Sequence, residues 1–194
     1  MKKNLLLLTL IAASLQSCNQ LQSGGSFADA LTLDSAQFTQ IHAQYKEPAL
    51  QHRRFKHSDV DSLVSLHKQR GLLAVEQIGS SVEQRSIYKL NFGAGPKKVM
   101  LWSQMHGDEP TATMALFDLF NFLEGKADGF DAVRKVLNDN LSLHFIPMLN
   151  PDGAERYSRR NAQSIDLNRD ARKGHTVEGS LLQRMAKEIK PQFG

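Results

Sequence analysis

At 194 residues, 41% of them hydrophobic, the chain can bury one sizeable core but not two large ones. Its formal charge of +4 comes from basic residues scattered along the chain rather than gathered in one stripe, which argues against a nucleic-acid partner. A single cysteine excludes a disulfide-stapled scaffold.

Lys2 and Lys3 precede an apolar run from Leu5 to Ala13 that is too short to span a bilayer, the pattern of an export signal. The run leads into Leu15-Gln16-Ser17-Cys18, which resembles the bacterial lipobox, with Gln16 as its one departure. Residues 1–17 therefore read as a signal peptide, and Cys18 as a lipidated mature N-terminus that places the protein in the cell envelope, anchored to a membrane. Ordinary signal cleavage nearby is the alternative. Residues 18–44 read as a tether and N-terminal extension, because Asn19 to Gly25 is rich in Gln, Ser and Gly and buries little. From Phe27 to His57 no period is sustained, so short helices and loops are expected.

Regular structure starts at Ser58, a candidate cap for a helix carrying Val60, Leu63, Val64 and Leu66 and ended by Gly71. Three strands follow, at Leu72 to Ile78, Ser86 to Phe92 and Val99 to Met105. The period then turns helical over Glu109 to Leu123 and again over Ala132 to Leu137. Leu141 to Leu149 reads as a buried strand, and Val177 to Lys190 as a helix that Pro191 stops. Strands separated by amphipathic helices predict an α/β fold; two strands adjacent in sequence with no helix between them predict a mixed central sheet flanked by helices.

The chemistry lies in Ser103-Gln104-Met105-His106-Gly107-Asp108-Glu109-Pro110-Thr111, where a strand gives way to a helix. A turn there can aim the His106 imidazole and the Glu109 carboxylate at one zinc ion. Alternatively Glu109, or equally Asp108, is a carboxylate favoured by a helix N-terminus. Pro110 suits a first helical turn. A second block holds Asn150-Pro151-Asp152-Gly153, read as a turn, then a polar loop with Arg159-Arg160-Asn161, then Asp166-Leu167-Asn168-Arg169-Asp170. His144 reads as a packed or rim histidine. His42, His52, His57 and His67 lack ligand spacing, and His175, in a polar loop, is the rival metal ligand.

His-x-x-Glu, Asn-Pro-Asp-Gly, Arg-x-Asn and Asp-x-Asn-Arg in this order resemble the zinc carboxypeptidase family of metallopeptidases, and Ile78-Gly79-Ser80-Ser81 with Arg85 resembles the segment that opens its domain. The likeness covers residues 45–194, which would form the N-terminal portion of a catalytic domain. It implies that His106 and Glu109 bind Zn2+ and that Arg159 stabilises the oxyanion, with Arg160 as the fallback. It further implies that Asn168 and Arg169 grip a substrate carboxylate and that Asp166 orients His106. A surface salt bridge from Arg169 to Asp166 or Asp170 is the plain alternative.

The family's third ligand, a later histidine, and its catalytic glutamate have no counterpart, so the chain is expected to be an inactive fragment. The implied activity is hydrolysis near a free C-terminal carboxylate, on a peptide or a peptidoglycan-derived peptide. A murein-peptide amidase, a small-molecule deacylase of the same superfamily and a non-catalytic peptide- or glycan-binding lipoprotein are the alternatives.

Overall fold

The computed structural model describes residues 34–194; Cys18 and the signal segment lie outside them. The chain divides into two units, Met1–Ala43 and Gln44–Gly194. Of the first, the described part is Asp34 and the start of helix α1, Ser35–Tyr45, which runs on into the second.

The second unit continues with α2 (His57–Arg70), β1 (Ala74–Ser80), β2 (Ser86–Phe92), β3 (Lys97–Trp102), α3 (Thr111–Glu124), α4 (Asp131–Asn140) and β4 (Leu141–Ile146). Two short helices, α5 (Pro151–Arg156) and α6 (Leu167–Asp170), precede the longer α7 (Val177–Ile189). The four strands lie in the order β1-β2-β4-β3. β1 pairs antiparallel with β2 and β2 with β4, whereas β3 and β4 run parallel, joined by the α3–α4 crossover. The sheet is therefore mixed and flanked by helices.

Alternation along the strands sends side chains to two faces. On one, Phe120 of α3 meets Phe145 of β4 edge to face at 5.1 Å, and Phe117 and His67 also meet Phe120 edge to face. On the other, Ile78, Ile87, Met100 and Ile146 pack against Leu181, Leu182, Met185 and Ile189 of α7. Burying these apolar stripes is what holds the helices to the sheet.

Several boundaries differ from the sequence reading. Helix α2 begins at His57, where the Asp59 carboxylate accepts the Lys56 backbone N–H at 2.7 Å, so Ser58 is inside the helix and not its cap. β3 ends at Trp102 rather than Met105. Beyond it the backbone turns away, and Ser103 and Gln104 carbonyls accept from Leu149 and Asn150. β4 stops at Ile146 for the same reason. Asn150-Pro151-Asp152-Gly153, expected as a turn, opens helix α5: the Asn150 side chain caps Gly153 N–H at 2.9 Å and Pro151 takes the first helical position. On the free side of β3, Met100 N–H donates to Phe193 O at 3.0 Å and Val99 pairs in parallel with Phe193.

Candidate metal centre

His106 and Glu109 sit in the turn between the end of β3 and α3. Four contacts set this turn. Asn150 Nδ2 donates to the Met105 carbonyl at 3.2 Å. Gln104, held at φ 49°, donates through Nε2 to the Gly107 carbonyl at 3.0 Å and accepts from the Thr113 hydroxyl at 2.9 Å. Finally, Gly107 lies so close to α5 that a Cβ there would stand 2.0 Å from Gly153 C and 2.3 Å from Ala154 N. Only glycine fits this approach.

The turn brings His106 Nδ1 to 3.1 Å from Glu109 Oε2. The other ring nitrogen, Nε2, is 3.0 Å from Asp166 Oδ1. Burial pushes the Asp166 carboxyl up, but hydrogen bonds from His106 and Arg159 outweigh that and bring its pKa down to about 2. An ionised carboxylate can only accept, so Nε2–H donates to Asp166; a guanidinium can only donate, so Nδ1 accepts from Arg159 Nη1 and presents its lone pair on the Glu109 side.

A lone pair and a carboxylate at 3.1 Å repel each other unless a cation stands between them. Here that cation is Arg159, whose Nη1 lies 3.2 Å from His106 Nδ1 and 3.3 Å from Glu109 Oε1. The same guanidinium donates from Nε to Asp166 Oδ2 at 3.1 Å. The donor chemistry fits zinc, since two ligands each about 2.0–2.2 Å from one ion in tetrahedral array stand about 3.3 Å apart. Among the described residues no group of three or more His, Cys, Asp or Glu side chains converges on a metal position, so His106 and Glu109 are the donors in hand.

The remaining residues fall as follows. Asp166 caps α6 through Asn168 N–H at 3.0 Å, so one carboxylate ties His106 to the helix that carries Asn168 and Arg169. Both of those are exposed, and among the described residues Arg169 pairs with neither Asp166 nor Asp170. Arg160 turns away and donates to the Ser164 carbonyl at 2.8 Å, which leaves Arg159 as the guanidinium at the site. His144 Nδ1 lies 2.7 Å from Asn91 Oδ1 within the sheet, and His175 lines a separate surface cleft with Val177 and Arg184.

Residues 60–184 match the zinc carboxypeptidase family model. The chain belongs to the zinc carboxypeptidase family. Among curated relatives, it is 40% identical over 68 residues to carboxypeptidase SOL1 of Arabidopsis thaliana, a match covering 34% of this chain and 13% of that one. It is 30% identical over 141 residues to the human carboxypeptidase N catalytic chain, covering 60% of this chain and 31% of that one. A metallo-carboxypeptidase structure from Burkholderia cenocepacia superposes with a TM-score of 0.66 at 25% identity, over 72% of this chain and 40% of that chain. The chain thus spans less than half the length of each of these proteins.

Three positioning residues escaped the sequence reading. Asn150 carried a signal, as the first residue of Asn-Pro-Asp-Gly, but its bond to Met105 is long-range. Gln104 and Thr113 had no signal beyond adjacency to the motif. Asp152, expected as part of a turn, is 0% exposed and accepts from Ser81 Oγ and from Arg85 Nη1, each at 2.7 Å. The resemblance of Ser80-Ser81 and Arg85 to the domain's opening segment therefore has a physical basis in the ion pair it makes with Asp152.

Proposed function

We propose that this chain provides the first half of a zinc-dependent carboxypeptidase site. The observation that carries the reading is His106 Nδ1 facing Glu109 at 3.1 Å while Nε2 is held by Asp166. In this reading His106 and Glu109 hold zinc. When bound, zinc supplies Lewis acidity that polarises a carbonyl and lowers the pKa of water. Asp166 keeps the Nε2–H tautomer and so leaves Nδ1 free as a donor atom. Arg159 offers N–H donors to the oxygen on which charge develops. The exposed Asn168 and Arg169, on the helix that Asp166 caps, grip the carboxylate of a C-terminal residue, for which a planar guanidinium fork is suited.

A catalytic zinc takes three protein ligands and water, and His106 and Glu109 supply two. Hydrolysis is therefore proposed for the site completed by a third donor and a general base; a site with these two ligands alone is expected to be inactive. The substrate class is a peptide with a free C-terminal carboxylate, peptidoglycan-derived peptides included. The relatives named carboxypeptidases support this choice. The export signal and Cys18 support action outside the cytoplasm, at a membrane surface.

Zinc titration of the protein and of His106→Ala tests the reading, with a chelator-sensitive assay for release of a C-terminal residue in the protein that carries the complete ligand set. Zinc bound by the parent and lost on His106→Ala is expected. Equal zinc affinity in the two proteins would remove the ligand assignment.

A further inference from the structure

We propose that Glu178 is a positioning residue for the candidate metal centre: it holds Asn161, and through Asn161 the loop whose two ends press Arg159 and Asp166 against His106. The proposal rests on reading His106, Glu109 and Arg159 as the working site, and it concerns a residue that touches none of them.

Glu178 lies in the first turn of α7 and is 0% exposed. Its Oε2 accepts from Asn161 Nδ2 at 3.2 Å, while its Oε1 is buried without a hydrogen-bond partner. Two other buried carboxylates, Asp152 and Asp170, lie near enough to oppose its charge. Both have their own donors: Asp152 has Ser81, Arg85 and the Glu83 N–H, and Asp170 has the Thr176 hydroxyl and N–H and the His175 N–H. Glu178 has only the Asn161 amide and its own backbone N–H. A carboxyl buried for so little compensation is costly unless the contact it makes is needed.

The contact has leverage. Asn161, 4% exposed, accepts through Oδ1 from the backbone N–H groups of Gln163 and Ile165, each at 3.0 Å. Those two donors fix which way its amide faces, so Nδ2 must point at Glu178. Its own N–H donates to Ile165 O at 3.1 Å and its carbonyl accepts from Ser164 N–H at 3.0 Å, closing residues 161–165 into a tight loop. Arg159 leaves one end of that loop and Asp166 the other, and the two meet at 3.0 Å between Arg159 Nη2 and Asp166 Oδ2. Glu178 is the loop's side-chain anchor to α7. If the anchor slips, the guanidinium and the carboxylate that set the His106 tautomer shift together.

The test compares Glu178→Met, which matches the length and removes the acceptor, with Glu178→Gln, which keeps an acceptor oxygen. The primary readout is the pair of 15N shifts of the His106 ring in the metal-free protein, with zinc affinity by competition titration as the second. Glu178→Met is expected to lose the Nε2–H tautomer preference and to weaken zinc binding about 10-fold, the usual scale for disturbing a residue behind a ligand. Glu178→Gln is expected to restore both to parent values. Parent-like tautomer and zinc affinity in Glu178→Met, or failure of Gln to rescue, would overturn the proposal. Should Glu178→Met not fold, Glu178→Ala, which leaves a hole rather than a misfit, carries the same comparison. A parent protein that binds no zinc would refute the metal-centre reading, while the tautomer readout would still decide the role of Glu178.

Discussion

Gly107→Ala is the most direct test of how the His106 turn is built. The added Cβ would lie 2.0 Å from Gly153 C and 2.3 Å from Ala154 N, both backbone atoms that no rotamer change can move. Ordinary contact between carbon atoms is about 3.5–4.0 Å, so the turn and α5 must separate by about 1.5 Å. Overpacking of this kind costs about 1–3 kcal/mol, which lowers a urea midpoint by about 1 M at an m-value of about 2 kcal/mol/M. His106 moves with the turn and Asp166 does not, so their 3.0 Å bond is stretched beyond hydrogen-bonding range. Zinc affinity should then fall about 10-fold to 100-fold. Gly71→Ala is the control: its Cβ meets nothing within 4 Å, but φ is 75°, so about 1 kcal/mol is lost to backbone strain with zinc affinity unchanged. The reasoning fails if Gly107→Ala shows the parent's urea midpoint and zinc affinity, or if Gly71→Ala loses zinc affinity as Gly107→Ala does.

Arg85→Met should destabilise by about 3 kcal/mol in chemical denaturation, because it strips the guanidinium from the wholly buried Asp152 and leaves only Ser81 and Glu83 as donors. In the protein with a complete ligand set, Arg159→Ala should cut turnover about 100-fold or more with little change in KM, while Arg160→Ala, whose guanidinium serves Ser164, stays near the parent in steady-state kinetics. Hydrogen bonds from Arg134 hold the Asp128 carboxyl well below the usual carboxylate range. The stability it adds is present above the unfolded-state value near 4 and is lost as pH falls through the lower folded value, so Asp128→Asn should flatten the acid limb of a stability–pH curve. Burial first, with Asp152 and Asp170 adding to it, pushes the Glu178 carboxyl up. The folded state then holds this proton more tightly, and stability falls as pH rises above the unfolded value near 4. Glu178→Gln should therefore exceed the parent in stability at pH 8 and match it below about pH 4, by urea melts across pH.

Much of the architecture was legible in local pattern. The apolar period of 3.6 over Met114, Leu116, Phe117 and Phe120, and the alternation in Ser86–Phe92, follow from burying one face of each element, and both elements formed. A mixed sheet followed from two strands adjacent in sequence with no helix between them, and the structure pairs them antiparallel. His106 and Glu109, three residues apart in one turn, needed little more than that turn to meet. Element ends were less legible: whether residues 103–105 extend β3 depends on partners near residues 146–150, not on their own apolar character.

What the amino-acid order determined alone was therefore the set of chemical groups, their periods and the turn that pairs an imidazole with a carboxylate. What only the tertiary structure decided was which neighbours hold them. Arg159 and Arg160 are adjacent and chemically identical, yet in the fold one reaches His106 across 53 positions and the other donates to the Ser164 carbonyl. Asp152 became a buried ion-pair partner, and Glu178 the support of Asn161, through contacts that join residues 67 and 17 positions apart. Local spacing records the conformation a segment prefers; contacts across such separations depend on how whole elements pack, and no short stretch of sequence contains them.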